Sequence, residues 1–269
     1  MGIPLKTIPI FVVNLPQSIE KRKHIRALCD KYRLNPEFID AVDGRLLSDE
    51  EVAKISPKEQ TIKNIGRRLT KGEVGCALSH KLIYQKIVDN NIKAALILED
   101  DAKFNQDFIN FISAVGANNF KDLDIILMGH NNQRRPICSW QDKIKIKKYA
   151  LKKPLEIIFG THGYCITNKG AKKMLSNIGQ ITLPIDHYTG DVQYVNLRLL
   201  HPQVVLINET MASLSELESD RNAMRDKYPI QKTLKMKILN LFNAYKITIN
   251  IKYVIKYIWL HIPYLKYKR

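Results

Sequence analysis

Three consecutive carboxylates, Glu99, Asp100 and Asp101, end the apolar run AALIL of residues 94–98. A buried strand that runs out into clustered acids sets hard oxygen ligands at the carboxyl edge of a sheet, where open α/β folds bind their ligands. Ligands of that kind suit a divalent cation holding a diphosphate. The same acids also suit the start of a helix, because Phe104, Phe108, Phe111 and Ile112 recur at helical spacing just beyond them. Taken alone, the triplet reads first as a helix cap and second as a metal site.

A second polar group lies in KGEVGCALSH, residues 71–80. Gly72 and Gly75 allow close backbone approach, and Glu73, Ser79 and His80 bring polar groups near a helix start. Ser79 and His80 are not a hydrolase dyad: adjacent helical residues project about 100° apart, and no GxSxG motif is present. His80 serves equally as a satisfied structural histidine, and Cys76 as a small core hydrophobe. The four cysteines, Cys29, Cys76, Cys138 and Cys165, lack CxxC or Cys/His spacing. Neither a zinc site nor a disulfide framework is signalled, and a reducing compartment is the simplest expectation. The first residues lack the pattern of a signal peptide, and Lys6 stands where a myristoylation motif needs Ser or Thr.

The elements that must position these groups alternate. Residues 8–14 (IPIFVVN) read as a strand, 18–32 as a helix with a basic surface, and 37–42 as a second strand ending at the Asp43-Gly44 turn. Residues 46–70 read as a lid or insertion whose Ser48–Glu51 segment resembles a helix start. A helix over 71–88, a strand over 94–98, a helix over 104–115 and a strand over 124–129 follow. Residues 143–153, with lysines alternating with apolar side chains, read as an exposed edge strand. Residues 157–167 read as a loop and strand, leading into a helix over 168–177. Repeated β-α-β order predicts an α/β sheet, and a hydrophobic content of 45% is ample for its core.

All 26 acidic residues lie at or before Asp226, whereas residues 227–269 hold ten Lys/Arg and no acid; the net charge of +17 splits into +7 and +10. The expected organisation is a 1–226 domain followed by a basic amphipathic segment, 227–269. In that segment apolar residues such as Leu234, Ile238, Leu241 and Tyr245 recur at helical spacing between lysines. Its uncharged runs fall short of the roughly 20 residues a transmembrane helix needs, so it reads as a segment lying on an anionic membrane surface. Packing on the main domain is an alternative. Nucleic acid is not an expected partner, since no helix-turn-helix, RRM or zinc pattern accompanies the charge.

Six segments in order resemble glycosyltransferase family 25, which includes bacterial lipooligosaccharide galactosyl- and glucosyltransferases. They are FVVNLPQSIEKRKHI (11–25), FIDAVDGR (38–45), LTKGEVGCALSHKLIYQKIV (69–88), ALILEDDA (95–102), GTHGYCITNKGAKKML (160–175) and LPID (183–186). The resemblance implies a GT-A-like fold, a Rossmann-type mixed sheet flanked by helices. It also makes EDD similar to a DXD motif, so that Asp101 and Asp100 bind Mn²⁺ or Mg²⁺ and the donor's diphosphate, with Glu99 in support. By this resemblance metal binding outranks capping for the triplet. By the same resemblance Asn14, Leu15, Ser18 and Arg22 contact the nucleotide, Asp43 and Gly44 line its pocket, and Gly72, Glu73, Ser79 and His80 face the donor sugar. Asp186 is the expected base for the acceptor hydroxyl, with Asp191 in reserve, although Asp186 also suits a helix cap.

The function so implied is a metal-dependent inverting transfer of a hexose, galactose from UDP-galactose, onto a core sugar of lipooligosaccharide or lipopolysaccharide. Its expected place is the inner face of a bacterial cytoplasmic membrane, held peripherally by the basic tail. The alternative is a non-catalytic binding or scaffolding protein that keeps the fold and recruits partners or nucleic acid through that tail.

Overall fold

The computed structural model describes residues 8–115, 122–131 and 135–215. The basic segment 227–269 lies outside the described residues.

The chain opens with β1 (Ile10–Asn14), α1 (Ile19–Lys31) and β2 (Glu37–Asp40), then a 3-10 turn (Gly44–Leu46) and helices α2 (Asp49–Ile55), α3 (Lys58–Ile65) and α4 (Lys71–Asp89). It continues through β3 (Ala94–Glu99), β4 (Ala102–Phe104), α5 (Gln106–Ala114), β5 (Ile125–Leu127), β6 (Cys138–Ile146) and β7 (Tyr149–Pro154). The last described elements are β8 (Gly163–Thr167), α6 (Asn168–Asn177), α7 (Ile185–Thr189), β9 (Leu197–His201), β10 (Val205–Ile207) and α8 (Glu209–Ala212). Eight strands form one mixed sheet in the order β2-β1-β3-β8-β5-β9-β7-β6, and β4 and β10 pair separately.

Strand alternation divides the core between the two faces of the sheet. Val12 of β1, Leu96 and Leu98 of β3 and Cys165 of β8 join one cluster with Ile25 of α1 and Phe108 and Phe111 of α5. Phe11, Ala95, Ile97 and Tyr164, one register step away, join the other with Val74, Ile83 and Tyr84 of α4 and Met174 of α6. A sheet buried on both faces needs near-continuous apolar strands, which is why AALIL shows no polar alternation. The layered α/β expectation is met.

Local signals set the helix starts. Ser48 and Thr70 each close a capping box, with Glu51 and Glu73 respectively. Asn105, not the acid triplet, caps α5, its side chain accepting from Asp107 N at 2.8 Å. The three carboxylates are thereby released from the capping role. The lysine-rich stretch is a hairpin rather than one strand: β6 and β7 turn at Lys147, whose φ is 52°, and the period-two pattern resumes beyond the turn. β6 does form the sheet edge, where alternating lysines discourage further pairing.

Candidate active site

The site forms where the strand order reverses. β1 pairs in parallel with β2 on one side and β3 on the other, so a crevice opens at their carboxyl ends, between Asn14 and Glu99. β8 runs antiparallel to β3 with Gly163 opposite Leu98, so Thr161 and His162 arrive beside Glu99. Glu99 N donates to His162 O at 3.0 Å, extending that pairing to the strand's last residue. Thr161 Oγ1 donates to Glu99 Oε1.

The triplet divides its roles by direction. Asp100 turns toward β1 and α1: its Oδ2 accepts from Asn14 Nδ2 at 2.9 Å, and its Oδ1 lies 3.2 Å from Lys21 Nζ. Lys21 Nζ also lies 3.9 Å from Asp101 Oδ2. Lys21 is thus no part of the solvated basic surface expected of α1; it is 8% exposed and belongs to the site. Burial raises Asp100 above the usual carboxylate range, partly offset by Lys21.

Glu99 and Asp101 turn instead toward His162, and one ligand atom from each of the three lies within 4.8 Å of the others. Asp101 Oδ1 and His162 Nδ1 are buried without a hydrogen-bond partner, and Nδ1 stands 3.7 Å from Glu99 Oε2. Burial and the Glu99 charge push Asp101 up to about 7. Burial also works against the Glu99 charge, but the facing His162 outweighs it and holds Glu99 at about 2. His162 is raised in turn, Glu99 overcoming the effect of burial. Two carboxylates and an imidazole with converging lone pairs and two orphaned atoms fit a divalent cation. The expected metal pair is Asp100 and Asp101; here the converging atoms belong to Glu99, Asp101 and His162, while Asp100 is held by Asn14 and Lys21. The sequence admits His162 or His187 as a further metal ligand but gives no ligand spacing; the antiparallel pairing of β8 with β3 brings His162 to the acids from 63 positions away.

The crevice is lined by Asn14, Leu15, Ser18 and Lys21 at the entry to α1, by residues 41–45, by Gly72, Cys76, Ser79 and His80 of α4, and by the acid triplet. Several expected contacts serve instead to build it. Glu73 is buried, with both oxygens meeting Arg67 at 2.7 Å. Ser79 Oγ accepts from Val42 N at 2.9 Å and donates to Gly75 O at 2.7 Å, fastening the 41–44 segment to α4. Asp43 receives Arg45 Nε at 2.8 Å and Gln17 Nε2 at 2.6 Å, and these partners hold its carboxyl below the usual range. Arg22 lies outside the lining, over the Phe38 ring at 4.6 Å and 3.5 Å from Asp40.

Asp186 and Asp191 also stand outside the crevice lining. Asp186 Oδ2 accepts from Gly160 N at 3.3 Å, behind the loop that carries His162, and its Oδ1 is buried without a partner. Asp191 Oδ1 accepts from Gln193 N in a local turn. Burial lowers His80, which is fully enclosed and bonded through Nδ1 to Tyr164 Oη at 2.7 Å.

Residues 7–189 match Glycosyltransferase family 25 (LPS biosynthesis protein). The chain belongs to this family. A glycosyltransferase 25 family member of Aedes aegypti is 31% identical over 188 residues, covering 66% of this chain and 30% of the relative. Procollagen galactosyltransferase 1 of Danio rerio is 29% identical over 187 residues, with the same coverage of 66% and 30%. The family 25 chain thus spans about a third of the length of these relatives. The matched region contains the crevice strands, the acid triplet, His162 and Asp186.

Proposed function

We propose that this family 25 chain is a metal-assisted inverting glycosyltransferase that moves a hexose, galactose from UDP-galactose, onto a lipooligosaccharide core sugar. The observation that carries the reading is the convergence of Glu99, Asp101 and His162 at a strand-order reversal, with two buried ligand atoms left without partners. Galactose is favoured by the procollagen galactosyltransferase relatives, and a lipopolysaccharide-type acceptor by the family description.

Glu99, Asp101 and His162 would hold Mn²⁺ or Mg²⁺, which supplies neutralisation of the leaving diphosphate. Lys21 adds a buried positive charge beside the same group, and Asn14 and Ser18 position the nucleotide at the amino end of α1. The acceptor oxygen bonds to the anomeric carbon as the carbon–oxygen bond to the diphosphate breaks; UDP departs. The acceptor's hydroxyl proton passes to Asp186, our assignment for the base. Asp186→Asn separates that role from its support of Gly160, because the amide oxygen still accepts the Gly160 N–H. It should abolish transfer while preserving UDP binding; transfer near the parental rate would remove Asp186 as the base.

The deciding experiment is thermal stabilisation by UDP with Mn²⁺, followed by a screen of UDP-sugars for transfer. Stabilisation without turnover of any sugar would favour a binding or scaffolding protein. Residues 227–269, with their excess of ten positive charges, would bring the enzyme to an anionic membrane. Among the described residues no helix is long and apolar enough to cross one. Equal flotation with anionic liposomes after removal of 227–269 would rule the segment out as the anchor.

A further inference from the structure

We propose that the outer face of the β6–β7 hairpin is a docking surface for an anionic lipid bilayer. The contact is made by the folded domain itself and is separate from the basic segment 227–269.

The sequence KIKIKKYALKK puts six lysines and no acid into residues 143–153. Among the described residues only Lys148 of these six forms an ion pair, with Asp107. Lys143 stands directly opposite Lys152 and Lys145 opposite Ala150, whereas Ile144 and Ile146 pair with Leu151 and Tyr149 on the side that joins the core. One face of the hairpin is therefore apolar and covered, and the other is cationic. Like charges directly opposite one another across a strand pair repel and cost stability. Lysines on an edge strand are accounted for by protection against further pairing, but Lys152 belongs to β7, which is already flanked by β6 and β9. Edge protection does not explain Lys152. The positive field also reaches the next strand: His201 of β9, opposite Ala150, is lowered by burial and further by the charges of Lys152 and Arg135.

A surface dense in anions relieves that repulsion, and lipid headgroups form one that attracts each lysine brought near it. Trp140 of β6, its ring centre 5.6 Å from Lys143 Nζ, adds an indole, the side chain that settles at headgroup level with its ring inward and its N–H outward. Lysines beside an indole match a bilayer surface better than a phosphate backbone alone. Strand directions then relate the hairpin to the crevice. β6 is antiparallel to β7 and β7 to β9, β9 is parallel to β5, and β5 and β3 both run antiparallel to β8. β6 thus runs the same way as β3, and the turn at Lys147 leaves the sheet by the edge that carries Glu99. A lipid-linked acceptor would be presented at that edge; this link, unlike the docking itself, rests on the transferase reading above.

The test is cosedimentation of the full chain with vesicles of phosphatidylglycerol and phosphatidylcholine, without donor or metal, so a protein that transfers no sugar still decides it. The triple variant Lys143→Gln, Lys145→Gln, Lys152→Gln should bind about 100-fold more weakly than the parent, about fivefold per lysine. It should melt no lower, since the opposed charges are gone. Brominated lipid in the same vesicles should quench Trp140 in a Trp259→Phe chain, where it is the one remaining tryptophan. A triple variant within about twofold of the parent would overturn the proposal, as would an unquenched Trp140 on a vesicle-bound chain; either result would leave binding to residues 227–269. A triple variant that lost affinity for a DNA duplex while keeping that for vesicles would overturn it in favour of nucleic acid. Docking without sugar transfer would count against the transferase reading alone.

Discussion

Asn131 Oδ1 stands 2.7 Å from His162 Nε2, and that contact decides which nitrogen faces the acids. An amide oxygen only accepts, so Nε2 carries a proton toward Asn131, and Nδ1 is the nitrogen that faces Glu99. Positioning of this kind commonly governs metal affinity by 10–100-fold. Asn131→Leu should therefore weaken Mn²⁺ binding by about that range, measured calorimetrically in the presence of UDP, with little change in Tm. Equal Mn²⁺ affinity in His162→Ala would remove His162 from the ligand set.

Arg67 and Glu73 form a bidentate pair with side chains 9% and 1% exposed. Glu73 also accepts from Thr70 N at 2.9 Å within the capping box. This places Glu73 in the foundation of α4 rather than against the donor sugar. Arg67→Met should destabilise the protein by about 3–5 kcal/mol, since it leaves a buried carboxylate without its opposite charge. Chemical denaturation reads the loss. A loss below about 1 kcal/mol, as for an exposed pair, would show that the pair is not buried in solution.

Gly44 packs backbone against backbone on α4: a Cβ there would stand 1.8 Å from Lys71 O and 3.0 Å from Gly75 N. The glycine of the DG pair is required by close approach, beyond any need of the turn itself. Gly44→Ala must push the 41–45 segment off the helix and shift one wall of the crevice. The expected result is a stability loss of about 1–3 kcal/mol, with weaker UDP binding in the folded fraction. Parental Tm and UDP affinity together would contradict the packing.

Much of this site is legible where local signals carry it. The apolar run ending at Glu99 gives β3, and the glycine spacing and helical period of 71–88 give α4, one residue short of its end at Asp89. What escapes is whatever depends on which strand lies beside which. Nothing near Lys21 marks it as buried among lysines and arginines that look alike; the turn at Asp100 and Asp101 folds back over it. His162 joins the acids through antiparallel pairing. Residues 143–153 hide a turn because lysines alternate with isoleucines on its first arm and stand again on its second.

Tyr84, Tyr164 and His80 form a buried chain, with Tyr84 Oη and His80 Nδ1 each 2.7 Å from Tyr164 Oη. Burial lowers His80, so the ring is neutral and carries one proton. Only one direction lets both hydroxyl protons find acceptors: Tyr84 donates to Tyr164, and Tyr164 donates to His80 Nδ1. The remaining imidazole proton then sits on Nε2, which has no hydrogen-bond partner and lies within electrostatic reach of Glu99 and Asp186. A proton fixed there presents a positive edge to the two acids without a formal charge. Tyr164→Phe removes the shared oxygen from two buried groups and should destabilise the protein by about 1–3 kcal/mol. It should also release His80 from its single tautomer, seen as a change in its imidazole ¹⁵N shifts. An Nδ1-protonated His80 in the parent would reverse the chain's direction and remove the proton from the acids' side.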